Sequence, residues 1–110
     1  MNSTNQNIPI ACNMNVFTPL ERESHIQTAT QLFQSVQQIH EIEQGYEFIF
    51  PGESTTLIKL AEFISKERLC CPFLEFNIQL TPNYGTTSLL LTGPEGTQDF
   101  LREEFSEAFQ

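Results

Sequence analysis

The sequence predicts a single α/β domain of the α+β type, arranged as a two-layer sandwich of a sheet and helices. Stretches in which apolar and polar residues alternate are interleaved with stretches in which apolar residues recur every three or four positions. Their order is βαβαββα. The length of 110 residues suits one domain, and the chain contains no internal repeat or linker. Because helices connect the first three strands, right-handed parallel crossovers are expected. We therefore predict a mixed four-stranded sheet with the helices mainly on one face.

The first element is predicted to be a strand that follows a short tail. Residues 1–7 are polar and are expected to be a disordered N-terminal tail, so that the domain spans residues 8–110. Residues 8–17 alternate between apolar and polar side chains, which is typical of a half-buried strand. Cys12 falls on the apolar side of this alternation, and its thiol is expected to point toward the core.

A long amphipathic helix is predicted next. Thr18, Pro19 and Glu21 form a helix start, with a capping box and a proline at the first helical position. Apolar residues then recur at helical spacing over about 22 to 25 residues. His25 projects onto the apolar stripe of this helix, and His40 projects onto its edge.

The second half of the chain contains a second helix with a sharp end. This helix is expected to stop at Cys70 or Cys71, because the residue before a proline avoids the α region and Pro72 follows. The other elements predicted here are a strand at residues 46–50, a hairpin of strands at residues 75–80 and 86–92, and a final helix that continues to the C-terminus.

Aromatic residues raise the question of a homodimer. The chain has ten Phe and two Tyr, more rings than a core of this size requires. Aromatic side chains are favoured at protein interfaces. The bare face of the sheet, if Tyr46, Phe76 or Leu90 line it, is therefore a candidate dimer surface.

The net charge and the cysteine count exclude several classes of function. A net charge of −9, with five Lys and Arg in total, disfavours nucleic acid and anionic membranes as partners. The N-terminal residues lack the pattern of a secretory signal, and no apolar run is long enough to span a bilayer. Three cysteines, an odd number, argue against a secreted disulfide framework. A cytoplasmic protein with reduced thiols is expected.

The densest group of reactive side chains lies where the second helix ends. Glu67 precedes Cys70 by three residues and Cys71 by four, so one carboxylate can lie near two thiols on a helix surface. Cys12 could join them if the second helix packs over the first strand. Arg68 is expected on the apolar face, where its guanidinium could orient the carboxylate or stabilise a thiolate.

The position of these thiols favours metal binding over nucleophilic attack. The C-terminal end of a helix carries partial negative charge, which disfavours a thiolate. A bound cation reverses that preference, and paired thiols suit soft ions such as mercury, or zinc if other ligands join. The candidate ligands are Cys70, Cys71, Cys12 and Glu67, with Arg68 and His25 in supporting roles. No catalytic residue is assigned.

Three segments resemble a family of small bacterial proteins that has no established activity. They are Ile-Ala-Cys at residues 10–12, Glu-Arg-Leu-Cys-Cys-Pro-Phe at residues 67–73 and Leu-Thr-Gly-Pro-Glu-Gly at residues 91–96. The resemblance implies a cytosolic protein whose gene lies near metal-responsive regulators. Its members often have a basic residue where this chain has Glu75, so no anion contact is expected at that position.

Three interpretations follow from the sequence. The first is thiol-based binding of a soft metal or metalloid ion through the Cys70–Cys71 pair. The second is a homodimeric interaction domain without catalytic activity, whose cysteines are packed in the core. The third is a thiol-redox enzyme in which Cys12 is the resolving partner.

Overall fold

Within residues 8–110, three helices pack against a four-stranded sheet, which confirms the predicted two-layer α+β sandwich. The computed structural model describes these residues, and the tail predicted at residues 1–7 lies outside the described part. In chain order the helices and strands are α1 (Pro19–Gln34), β1 (Gln38–Ile42), β2 (Gly45–Phe50), α2 (Ser54–Cys70), β3 (Glu75–Leu80), β4 (Thr87–Thr92) and α3 (Thr97–Glu104). Short turns of 3-10 helix cover Met14–Val16 and Ser106–Phe109.

The sheet in residues 8–110 is antiparallel throughout, with the strand order β1-β2-β4-β3. The prediction of a mixed sheet is therefore wrong, and so is the parallel crossover expected through the first helix, because no strand precedes α1 within residues 8–110. Helix α2 does lead from β2 to β3, which runs in the same direction, but β4 folds back from β3 and lies between them. Hairpins make the other two connections, and hairpins join antiparallel strands.

The first strand is not where the sequence predicted it. Residues 8–17 form an irregular segment that contains the Met14–Val16 turn, so the predicted strand there is wrong. Strand β1 comes instead from the end of the long helix that was predicted. Helix α1 has 16 residues and ends at Gln34. The Ser35 hydroxyl donates to the Leu32 carbonyl there, at 2.7 Å.

Pairing with β2 explains why the chain leaves the helix despite its helical spacing. The Gln37 N–H donates to the Ile49 carbonyl at 2.7 Å, and β1 continues along β2 from there. Gln44 adopts the left-handed region (φ 62°), which closes a two-residue hairpin onto Gly45. A Cβ on Gly45 would overlap the Leu91 carbonyl of β4. The Gln-Gly dipeptide thus ends a hairpin turn and begins β2, rather than stopping a helix.

All ten phenylalanines belong to the core. Seven are buried, and Phe76, Phe100 and Phe109 are partly buried against it. Phe33 of α1 is central: its ring contacts four others, which are Phe48, Phe50, Phe63 and Phe105. The excess of Phe therefore needs no dimer interface to explain it. Tyr46 and Phe76 face this core, and the predicted homodimer stays a prediction.

The C-terminal helix is shorter than expected. Helix α3 ends at Glu104, and the 3-10 turn Ser106–Phe109 follows. Phe105 lies at the break (φ −115°, ψ 37°), and its buried ring stacks on Phe33 at a centroid distance of 4.2 Å. Within residues 8–110, none of the helices combines the length and the apolar character that crossing a bilayer requires.

Candidate thiol and metal site

The C-terminal end of α2 forms the base of the candidate site. The helix ends at Cys70, as predicted, and Cys71 leaves the α region (φ −122°, ψ 73°) ahead of Pro72. The Cys71 N–H still donates to the Glu67 carbonyl at 2.8 Å. This ending keeps Glu67, Cys70 and Cys71 on one side of the last turn.

The N-terminal segment supplies the third cysteine. The Asn13 N–H donates to the Cys70 carbonyl at 2.7 Å, and so satisfies one of the acceptors that a helix end leaves free. This bond holds Cys12 beside the helix end. The sulfurs of Cys12 and Cys71 lie at disulfide-bonding distance, with their Cα atoms 4.3 Å apart. Although the segment is not a strand, Cys12 is half-buried against the core. Cys12 thus reaches Cys71, and the expectation of reduced thiols does not hold for these two cysteines.

Cys70 is the free thiol of the described chain and is 1% exposed. Its Sγ lies 3.6 Å from the Cys71 sulfur and 3.8 Å from the Glu67 Oε1. Burial, followed by the negative charge of Glu67, raises the pKa of the Cys70 thiol from 9.0 to about 12. Cys70 is therefore protonated at neutral pH.

Glu67 lies at the centre of the site and is 3% exposed. Its Oε1 lies 2.7 Å from the His25 Nε2, and its Oε2 lies 3.3 Å from the Cys71 sulfur. One carboxylate thus contacts the sulfurs of both Cys70 and Cys71, as the spacing predicts, although only Cys70 is a free thiol within residues 8–110. A carboxylate this deeply buried requires polar partners, and the His25 ring is the strongest of them.

His25 reaches the site from α1, and its predicted place on the apolar stripe of that helix is confirmed. Its ring stacks on Phe63 (5.6 Å between centroids, 15° between planes) and tilts against Phe17. Its second nitrogen, Nδ1, is buried and has no hydrogen-bond partner within residues 8–110. His25 thus contributes one nitrogen to Glu67 and keeps the other unpaired.

The positions of Arg68 and His40 differ from the sequence expectation. Arg68 is exposed, and within residues 8–110 it makes no ion pair with Glu67. Helical spacing predicts an apolar face of Leu57, Leu60, Ala61, Ile64 and Cys71. Leu60 and Cys71 are buried as this predicts, but the other buried residues of α2 are Thr56, Phe63, Glu67 and Cys70. The helix is rotated because the large Phe63 ring, not the small Ala61, enters the core. His40 is exposed on β1 and contacts Glu47, so it lies outside the site.

A cavity of about 620 Å³ adjoins the buried carboxylate, and sequence reasoning missed one residue in it. His25 and Glu67 line the cavity together with Glu104, the last residue of α3. Partial burial, and then the negative charge of Glu67, raise the pKa of Glu104. As a whole, Glu104 is an exposed residue, and its place beside the His25–Glu67 pair is a tertiary contact that local patterns do not predict.

The side chains form two overlapping groups of possible ligand atoms. Cys12, Glu67 and Cys71 make one group, and His25, Glu67 and Cys70 make the other. The ligand atoms of each group lie within 4.8 Å of one another. Glu67 belongs to both groups, so the cluster offers sulfur, nitrogen and oxygen donors around a single carboxylate.

No protein-family model, curated protein or solved structure matches the chain. The resemblance to a family of small bacterial proteins therefore stays a prediction.

Proposed function

We propose that this protein binds a soft metal or metalloid ion through the thiolates of Cys12, Cys70 and Cys71. The observation that carries the proposal is the position of the Cys71 sulfur at the end of α2, where it lies beside the sulfurs of both other cysteines. The Cys71 sulfur lies at bonding distance from Cys12 and 3.6 Å from Cys70. Clustered thiolates select thiophilic ions over the hard cations that prefer oxygen.

Electrostatics favour capture of a cation over attack by a free thiolate. The pKa of Cys70 is raised to about 12, whereas a nucleophilic cysteine needs a lowered pKa. The same negative surroundings, namely Glu67 and the carbonyls at the helix end, attract a cation. A metal ion displaces the thiol protons, and Glu67 and His25 are the nearest groups that can accept them.

Binding of an ion to all three thiolates requires that the bond between Cys12 and Cys71 is first reduced. A cellular dithiol supplies the two electrons and two protons that convert the Cys12–Cys71 bond to two thiols, and is itself oxidised to a disulfide. Arsenite, As(OH)₃, then exchanges its three As–O bonds for three As–S bonds. Each thiol proton leaves with one hydroxyl group, giving three waters. With Hg²⁺ the thiol protons pass to solvent.

Native mass spectrometry tests this function. Protein reduced with a phosphine is mixed in turn with Hg²⁺, arsenite and Zn²⁺, and the mass of the folded chain is recorded. We expect one Hg or As per chain in the wild type and none in the Cys70→Ser/Cys71→Ser variant. His40→Gln is the matched control, because His40 is exposed and outside the site. An unchanged stoichiometry in the double variant would show that the proposal is wrong.

Thiol–disulfide exchange is the second candidate, because Cys12 and Cys71 lie at bonding distance with Cys70 beside them. In that reaction the Cys70 thiolate attacks the Cys71 sulfur, and the Cys12 thiolate leaves. The reaction needs a Cys70 thiolate near neutral pH, which the raised pKa opposes. The rate of Cys70 alkylation by iodoacetamide distinguishes the two. A plateau near pH 8.5 or below would favour exchange, and a rate still rising above pH 9 would favour metal binding.

A further inference from the structure

Part of the cluster is independent of the bond between Cys12 and Cys71. His25 and Cys70 both approach Oε1 of Glu67, at 2.7 Å and 3.8 Å. These three side chains are all buried, and none of them takes part in the disulfide. Oxidation therefore removes two thiolates from the cluster and leaves one imidazole, one carboxylate and one thiol in place.

We propose that the oxidised protein, with Cys12 and Cys71 joined, binds a borderline divalent cation of the Zn²⁺ class through His25, Glu67 and Cys70. This site is distinct from the three-thiolate site of the reduced protein, and its existence does not depend on that function. The two sites share the Cys70 sulfur, so one chain holds one ion at a time.

The geometry requires only small movements to hold such an ion. Tetrahedral zinc with bonds of about 2.0 Å to nitrogen and oxygen and about 2.3 Å to sulfur separates nitrogen from oxygen by roughly 3.3 Å and sulfur from oxygen by roughly 3.5 Å. The nitrogen–oxygen separation here is 2.7 Å and the sulfur–oxygen separation is 3.8 Å. An ion would lengthen the nitrogen–oxygen separation by about 0.6 Å and shorten the sulfur–oxygen separation by about 0.3 Å. The ligand atoms of the three side chains all lie within 4.8 Å of one another.

The second nitrogen of His25 is available for the partner that a metal-bound imidazole requires. A histidine that binds metal through one nitrogen usually donates its other N–H to a carboxylate, a carbonyl or water. The Nδ1 of His25 has no partner within residues 8–110, although the ring lines the cavity. Glu104 lines the same cavity, and it lies close enough to His25 for the imidazole to influence the pKa of the Glu104 carboxyl group. The cavity thus supplies the acceptor, Glu104 or water, that a metal-bound imidazole requires.

The donor set identifies the class of cation. One nitrogen, one oxygen and one sulfur suit Zn²⁺ and Co²⁺, whereas Mg²⁺ and Ca²⁺ prefer oxygen alone. Three protein ligands leave a fourth position, as in zinc sites that keep a water or a substrate. His25 and Glu67 both line the cavity, so that position would open onto it. The negative charges of Glu67 and Glu104 favour a dication there.

Cobalt is the probe, because a cysteine thiolate bound to Co²⁺ gives a charge-transfer band in the near ultraviolet. Two forms are titrated with Co²⁺ alone: oxidised wild type, verified by a mass two hydrogens lighter than the reduced chain, and the Cys12→Ser/Cys71→Ser variant. We expect both to bind one equivalent with the thiolate band, since Cys70 is their single thiol. Cys70→Ala in oxidised protein should abolish the band, and His25→Gln should weaken Co²⁺ binding by at least tenfold. His40→Gln should bind as the wild type does.

Absence of the thiolate band in both the oxidised wild type and the Cys12→Ser/Cys71→Ser variant would overturn the proposal. An unchanged band in Cys70→Ala would also overturn it. Far-ultraviolet circular dichroism establishes that each variant is folded, and if His25→Gln is not, the two cysteine variants decide the result. The Cys12→Ser/Cys71→Ser variant cannot form a three-thiolate site, so this outcome is separate from the arsenite and mercury result.

Discussion

At the scale of single residues, the site depends on one buried carboxylate. Glu67 contacts His25 with one oxygen and the Cys71 sulfur with the other, and it raises the pKa of Cys70. Its spacing from the two cysteines could be predicted, because helix geometry makes residues three and four positions apart neighbours. The partner of Glu67, which is His25 rather than Arg68, could not be predicted. Helical spacing alone does not fix which face of a helix its neighbour covers.

Cys70 should make stability depend on pH above neutrality. Its pKa is raised from 9.0 to about 12 in the folded protein, so folding favours the protonated thiol. That contribution is fully present below pH 9 and is lost as the pH rises toward 12. We expect the free energy of unfolding to fall more steeply between pH 9 and 11 when Cys70 is present.

Urea denaturation at several pH values measures this pH dependence. The Cys12→Ser/Cys71→Ser variant is used, because Cys70 is then the single cysteine and no disulfide exchange can occur. The control is the same double variant with Cys70→Ala added. The two proteins then differ in one titrating group, the Cys70 thiol. Parallel pH profiles for the two proteins would contradict the assigned pKa shift.

His25 should be the most costly histidine to replace. His25→Ala removes a ring packed against Phe17 and Phe63 and leaves Glu67 buried without its closest partner. We expect a loss of about 3 kcal/mol in the free energy of unfolding, measured by urea denaturation without metal. His40→Gln, at an exposed position, should change the free energy of unfolding by less than about 0.5 kcal/mol. Equal effects of the two substitutions would refute the buried pair.

At the scale of elements, local signals predicted where helices begin and end. The capping box is confirmed: the Thr18 hydroxyl accepts from the Glu21 N–H at 3.2 Å, and the Thr18 N–H donates to Glu21 at 2.9 Å. The end of α2 before Pro72 is likewise confirmed. Strand β1 was missed because its partner β2 is a tertiary contact, and Val36 and Ile39 happen to continue the helical spacing. Local patterns do not reveal which strand edge a segment will join.

The capping box gives a prediction for α1. Thr18→Ala removes the side-chain acceptor of the Glu21 N–H and should lower the free energy of unfolding by about 1 kcal/mol. Thermal or urea denaturation measures the loss. Ser24→Ala, an exposed substitution within the same helix, is the control and should be nearly neutral. A neutral result for Thr18→Ala would contradict the cap.

For the molecule as a whole, the sequence was sufficient to predict the layer architecture but not the pairing of the cysteines. The two-layer architecture followed from the number and order of alternating and helical segments. The pairing of Cys12 with Cys71 did not follow, because it depends on an irregular segment held by one backbone hydrogen bond, from Asn13 to the Cys70 carbonyl. An irregular segment has no periodicity from which its position could be derived.

The Cys12–Cys71 bond should contribute substantially to global stability. It joins residues 59 positions apart, and closing a loop of that length stabilises the folded state by about 4 kcal/mol in the chain-entropy model. We expect reduced protein to unfold at a markedly lower urea concentration than oxidised protein. Cys12→Ser should match the reduced form and no longer respond to reductant. If the urea midpoint of the wild type is the same with and without reductant, the proposed contribution of the Cys12–Cys71 bond to stability is wrong.

The most direct test of the proposed function counts the ligands of a bound ion. Reduced protein is loaded with one equivalent of arsenite, and arsenic K-edge X-ray absorption reports the atoms bonded to it. The proposed three-thiolate site predicts a shell of three sulfurs and no oxygen, and Cys12→Ser should convert it to two sulfurs and one oxygen. A wild-type shell that retains oxygen, or one that Cys12→Ser leaves unchanged, would contradict a three-thiolate site.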